Sequence, residues 1–169
     1  RDCLLSRGLG DVYKRQDPLF LMLENLQDPG NLGTMIRTGE GAGITGVIMN
    51  NQTVDIFNPK TIRATMGSIF RVPFVYVPDL APVLEQMHAK GIHTYAAHLK
   101  GQEYYDSFSF REPTAFLIGN EGNGLSKEIS DQAGQYLKIP MEGRVESLNA
   151  SIAAALLMYE AHRQRSARL

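Results

Sequence analysis

Cysteine is almost missing from this 169-residue chain. With Cys3 alone there is no internal disulfide framework, and His88, His93, His98 and His162 form no ligand-spaced cluster with it, which argues against a structural metal. Long apolar runs are missing as well. None approaches the roughly 18 residues that span a bilayer, and the N-terminus has no hydrophobic segment ending in a small-residue cleavage site. These absences exclude disulfide-stapled secreted domains and helical membrane proteins, and they point to the cytoplasm. There is also little charge of either sign to spare: 17 Lys and Arg stand against 18 Asp and Glu, a formal net charge of −1. Bulk charge therefore gives no support for nucleic-acid binding, which would have to use a local patch. Internal repeats, low-complexity tracts and interdomain linkers are absent.

What is present is apolar content of 43%, enough for one compact domain with a substantial core. Residues 1–16 show no sustained period of 2 or 3.6 before a clean strand pattern starts at Leu19. They read as a foreign or disordered leader, with residues 17–169 as the domain. Leaving out the leader's four basic and two acidic residues leaves 13 against 16, a net charge of −3. The basic tail Glu160–Arg168 reads as a solvated helix end, where cations are favourable.

Short β-rich runs alternate with helical patterns. Leu19–Glu24, Gly46–Asn50, Phe74–Val77, Ile92–His98, Thr114–Ile118 and Tyr136–Ile139 read as strands. Helices are expected near Leu32–Gly41, Pro59–Phe70, Leu80–Lys90, Lys127–Gln132 and Ala150–Arg165. The alternation predicts an α/β fold: a mostly parallel six-stranded sheet with helices on both faces. Asn31, Asn58, Asp79 and Ser126 stand where N-cap acceptors belong, Pro59 at a first helical turn, and Gly91 at a helix exit. The last helix carries two apolar stripes, Ile152/Leu156/Tyr159 and Ala153/Leu157/Ala161. A helix on a sheet buries one stripe; the second asks for a partner such as another copy of the chain, or for deeper burial.

Gly41-Ala-Gly-Ile-Thr-Gly46 matches the dinucleotide-binding glycine pattern and raises the alternative of a nucleotide-dependent oxidoreductase. That fingerprint needs a strand before it and a helix after it, whereas here the order is reversed, so a glycine-rich helix exit is the better reading.

Three other segments each follow a strand and lead into a helix, where ligands bind on a parallel sheet. The first is Asn25-Leu-Gln-Asp28-Pro-Gly-Asn31-Leu-Gly33 with Arg37 behind it, which must point back along its helix to share a pocket with the loop. The second is Gly119-Asn-Glu121-Gly-Asn-Gly124, whose glycines allow close backbone approach; its central carboxylate, with no Gly-Lys-Ser/Thr ending, argues against a phosphate loop and for a cationic or hydroxyl-bearing ligand. The third runs from Ile139-Pro-Met141 to Ser147-Leu148-Asn149-x-Ser151. Each piece alone has a bland reading as a turn or a cap.

Together, over residues 19–165, the three segments resemble the motifs of the SpoU (TrmH-like) family of the SPOUT RNA methyltransferases. The resemblance implies a deep trefoil knot in the C-terminal part of the sheet and a homodimer with its site at the subunit interface. The cofactor would be S-adenosyl-L-methionine, with no metal. The reaction would be methyl transfer to the 2′-hydroxyl of a specific ribose in tRNA or rRNA, with no DNA partner. Gly119, Ile139 and Leu148 would contact the cofactor mostly through backbone, and Ala97 and Met141 would line the same pocket. Arg37 would fix an RNA phosphate and stabilise the forming alkoxide, with Asn31 orienting it or the ribose. Glu121 would organise the second loop, and Ser147 and Asn149 would hold the target nucleotide. Base methylation by another SPOUT branch and a catalytically silent RNA-binding module are the competing outcomes; Arg37 speaks against the silent one. Because no further RNA-binding domain is evident, the chain reads either as the catalytic part of a longer protein or as a small member using its dimer surface.

Overall fold

The computed structural model describes residues 17–98 and 101–166; the expectation for residues 1–16 lies outside them. Six strands form one sheet: β1 (Leu19–Leu23), β2 (Gly46–Asn50), β3 (Phe74–Val77), β4 (His93–Ala97), β5 (Thr114–Ile118) and β6 (Gln135–Leu137). Their order is β3-β2-β1-β5-β4-β6 and every ladder is parallel. In the centre, Leu21 pairs with Val47 on one side and Phe116 on the other. All residues of β1, β2 and β5 are buried, as both-face coverage demands.

Among the described residues, five helices flank the sheet: α1 (Pro29–Ala42), α2 (Pro59–Thr65), α3 (Ala81–Ala89), α4 (Lys127–Gln132) and α5 (Ala150–Ser166). Strand alternation splits the core in two. Leu19, Leu21 and Leu23 join Leu32, Met35 and Ile36 of α1 and Leu157, Met158 and Ala161 of α5. Phe20 and Met22 join Leu84 and Met87 of α3 and Ile129 of α4 on the opposite face.

Several boundaries differ from the sequence reading for local reasons. Asn31 does not cap α1. Asp28 does, its carboxylate accepting from Asn31 N at 2.8 Å, because Pro29 has the φ of a first helical residue and starts the helix three positions earlier. Asn58 and Ser126 cap α2 and α4 as expected. Asp79 accepts from Ala81 N at 2.9 Å but lies one residue ahead of the cap position, held by Leu80. The expected helix over 59–70 breaks after Thr65, where Met66 (φ 50°) and Gly67 (φ 86°) turn left-handed before a short 3-10 turn, Ser68–Phe70. The glycine string at 41–46 is a helix exit, with Gly43 left-handed at φ 78°.

On α5, Leu157 and Ala161 turn inward while Ile152, Leu156 and Tyr159 remain outside. The basic tail is not simply solvated. Arg165 donates to the carbonyls of Asp17, Phe110 and Glu112 at 2.7–2.8 Å, and Gln164 accepts from Phe110 N, so the end of the helix staples the segment before β5. No helix among the described residues is long and apolar enough to cross a membrane.

Candidate functional site

The carboxyl ends of neighbouring strands β1 and β5, together with the chain leaving β6, bring the three sequence segments to one end of the sheet. Glu121 is where the first two join. Its carboxylate accepts from Gln27 N (3.0 Å), Asp28 N (2.9 Å) and the Asn31 side-chain amide (3.1 Å). Burial pushes this carboxyl up, but the N–H groups of Asp28 and Gln27 and the Asn31 amide outweigh it and hold it below its ordinary value. Asn31 then links to the third segment. Its Oδ1 accepts from Asn149 Nδ2 at 3.0 Å, while Asn149 Oδ1 accepts from Ser151 N and Ser151 Oγ at the start of α5. Glu121, Asn31 and Asn149 thus form a continuous chain across all three segments.

Asn120, which the sequence reading passed over, shapes the second loop from within. Its Oδ1 accepts from Gly122 N (2.9 Å) and Asn123 N (3.0 Å), and its backbone pairs with Gly124 in both directions. Only glycine fits at 119, because a Cβ there would lie 2.1 Å from Gly124 C and Leu125 N. Glu24, also unforeseen, is buried and accepts from Ser126 N at 2.7 Å, tying the end of β1 to the start of α4.

Between the second and third segments lies a cleft of about 260 Å³. Ala97, Gly119, Ile139, Met141 and Leu148 all line it, and so do Glu121 and Ser147. Asn31 and Asn149 are not on its wall: Asn31 lies one hydrogen bond behind Glu121, and Asn149 two, through Asn31. Arg37 is not on it either. On α1 the buried positions are Leu32, Gly33, Met35, Ile36 and Gly39, which leaves Arg37 on the outer face, exposed and without a hydrogen bond or ion pair to any described residue. The expectation that Arg37 points back into the pocket of its own chain is therefore not met.

The third segment shapes the cleft in a way composition could not reveal. Residues 139–148 make no backbone–backbone hydrogen bond with the described residues. The other wall supplies apolar surface from Ile118, Leu125 and Leu137. Apolar walls, the peptide edges of the third segment and the acceptor carboxylates of Glu121 and Glu146 fit a flat heteroaromatic base joined to a hydroxyl-bearing, cationic group.

With this geometry in place, comparison with known proteins is decisive: the profile of the SpoU rRNA methylase family matches residues 18–159. The chain belongs to the SpoU family. It is 38% identical over 139 residues to the 23S rRNA (guanosine(2553)-2′-O)-methyltransferase RlmP of Bacillus subtilis, an alignment covering 82% of this chain and 56% of that protein. Among solved structures, the SpoU methyltransferase AviRb from Streptomyces viridochromogenes in complex with AdoMet superposes with a TM-score of 0.87 at 34% identity, over 94% of this chain and 62% of that one. The AdoMet-bound rRNA methyltransferase from Sinorhizobium meliloti gives 0.83 at 36% identity, over 90% of this chain and 59% of that one. This SpoU chain spans 56–66% of the length of the first curated relatives it matches. The six-stranded parallel sheet expected from the sequence is thus the sheet of the SpoU methyltransferases.

Proposed function

We propose that this SpoU chain transfers a methyl group from S-adenosylmethionine to the 2′-hydroxyl of one ribose in a tRNA or rRNA, acting in the cytoplasm as a homodimer. The observation that carries the reading is the convergence on one cleft of all five residues assigned to the cofactor, two motif loops being tied together there through Glu121. The AdoMet complexes of AviRb and of the S. meliloti enzyme support the choice of cofactor, and the activity named for RlmP supports the ribose hydroxyl as acceptor. A trefoil threading of the chain after β5 belongs to the same reading.

S-adenosylmethionine supplies a methyl already activated by its sulfonium. The backbone edges of Gly119, Ile139 and Leu148 would hold it, with Ala97 and Met141 filling the wall around it. The sluggish partner is the ribose hydroxyl, whose developing negative charge must be met by a cation. Arg37 is suited to that work as a fixed fork rather than as a base, since a guanidinium keeps its proton through the physiological range. Its exposed position suggests that it serves at the boundary between subunits. The exposed stripe Ile152, Leu156 and Tyr159 offers the apolar surface such a boundary needs. Ser147, on the cleft wall, would meet the target nucleotide. Asn149 spends its amide on Asn31 and the α5 cap, so its contribution is to fix the third segment rather than to grip RNA.

The test is incubation with methyl-labelled S-adenosylmethionine and RNA from cells lacking the gene, followed by digestion to nucleosides. Label in a 2′-O-methyl nucleoside is expected. Label in a base-methylated nucleoside, or none, would overturn the reading.

A further inference from the structure

We infer that Asn50, at the carboxyl end of β2 and outside all three motif segments, is a positioning residue for the methyl-donor cleft, acting through Asn25 and Asn120; this rests on the function proposed above. Asn50 is buried. Its Oδ1 accepts from Asn25 N and from Thr53 Oγ1, each at 2.9 Å, and its Nδ2 donates to Asn25 Oδ1 at 2.7 Å. Asn25 is thereby gripped on both sides. It sits left-handed at φ 55°, a conformation that asparagine enters more readily than most L residues, and the bond from its N–H to Asn50 Oδ1 fixes the backbone there.

The consequence of that turn is the direction of the Asn25 carbonyl. It accepts from Asn120 Nδ2 at 2.9 Å, and the other end of the Asn120 amide holds Gly122 N and Asn123 N. One amide thus anchors the loop bearing Gly119 and Glu121 to a carbonyl whose orientation is set two strands away. Neither Asn25 nor Asn50 lines the cleft. Burial alone explains an asparagine that satisfies its own strand end, as the bond to Thr53 does; it does not explain a three-asparagine path that ends on the loop of the cleft.

Asn50→Ala leaves the Asn25 N–H without its acceptor and frees the carbonyl direction. The expected result is a rise of roughly tenfold in KM and Kd for S-adenosylmethionine, with kcat at saturating donor and KM for RNA within about twofold of wild type. Asn25→Gly is the companion. Glycine adopts φ 55° freely and keeps both backbone bonds, so donor affinity should remain within about threefold of wild type. If Asn50→Ala leaves donor affinity unchanged, or Asn25→Gly loses as much as Asn50→Ala, the inference is overturned while the proposed function stands. If wild-type protein shows no calorimetric binding of S-adenosylmethionine, both fall. Should Asn50→Ala not fold, amide exchange on wild-type protein decides: the donor must slow exchange at Asn25 N–H along with Gly122 and Asn123, and protection of the loop without Asn25 would refute the path.

Discussion

Glu121 is the acceptor on which the first two motif segments meet, and replacing it with glutamine tests that junction with little change of volume. Two of its three donors, Asp28 N and the Asn31 amide, reach Oε1, while Gln27 N reaches Oε2. Glutamine can keep a neutral carbonyl toward the first pair but must turn an NH2 toward Gln27 N–H, losing one hydrogen bond and the charge assistance of the other two. Hydrogen bonds to a charged group contribute about 1.5–3 kcal/mol each when buried. Glu121 is solvent-exposed, so screening brings the combined loss to about 1–2 kcal/mol, or roughly 5–30-fold in affinity if loop order must be restored by the ligand. Calorimetric titration of S-adenosylmethionine at pH 7 reads this directly. Glu121→Ala, which drops all three bonds, should lose more than Glu121→Gln. If both variants bind the donor as tightly as wild type, the junction does not shape the cleft.

Four further outcomes are expected. The Asn31 N–H, foremost, holds the Asp28 carboxyl below its ordinary value, and the Glu121 carboxyl is likewise lowered, so both contribute stability above the unfolded carboxylate pKa that is lost as pH falls through the depressed folded values. Donor affinity and thermal stability should therefore be level from neutral pH to about pH 5 and decline in acid, with a shallower acid limb in Glu121→Gln. Gly119→Ala forces a Cβ to within 2.1 Å of two backbone atoms and should cost on the order of a hundredfold in donor affinity by opening the 119–124 loop, a change visible by calorimetry. Arg37→Lys keeps the charge but loses the fork, and kcat should fall by about tenfold or more with donor Kd unchanged; near-full turnover would remove Arg37 from the chemistry. If the chain pairs through the exposed α5 stripe as proposed, wild-type protein should sediment as a dimer and Leu156→Glu as a folded monomer without methyl transfer, because that side chain is not part of the buried core.

Much of the architecture is legible in the chain because its cause is local. Leu19–Leu23 is apolar throughout and Thr114–Ile118 apolar after Thr114, whose hydroxyl is satisfied by Glu112 O, so neither has a polar face to show to water and both lie in the middle of a covered parallel sheet. Pro59, Asn58 and Ser126 carry their helix-start chemistry in their own side chains. What was misread depends on competition or on distance. Asn31 and Asp28 are both good caps, and only the fixed φ of Pro29 decides for Asp28. Left-handed Met66 and Gly67 interrupt a pattern that periodicity would continue. Arg165 looks like any helix-end cation until its three carbonyl partners are known. At the site, the identities of the cleft residues followed from the resemblance to the SpoU motifs, but the amide path from Asn50 through Asn25 to Asn120 did not, since an asparagine can donate or accept with any neighbour the fold supplies. The placement of Arg37 was not legible because a position on a helix fixes a face only relative to its own axis; Arg37 lies on the exposed side of α1 and outside the cleft lining.

The most direct measurement is a crystal structure of the protein with S-adenosylmethionine bound. The account requires the sulfonium to sit between Gly119, Ile139 and Leu148, with the Arg37 guanidinium of one protomer or the other facing a ribose placed in line with the methyl. A donor bound elsewhere, or Arg37 of every protomer remote from that methyl, would contradict it.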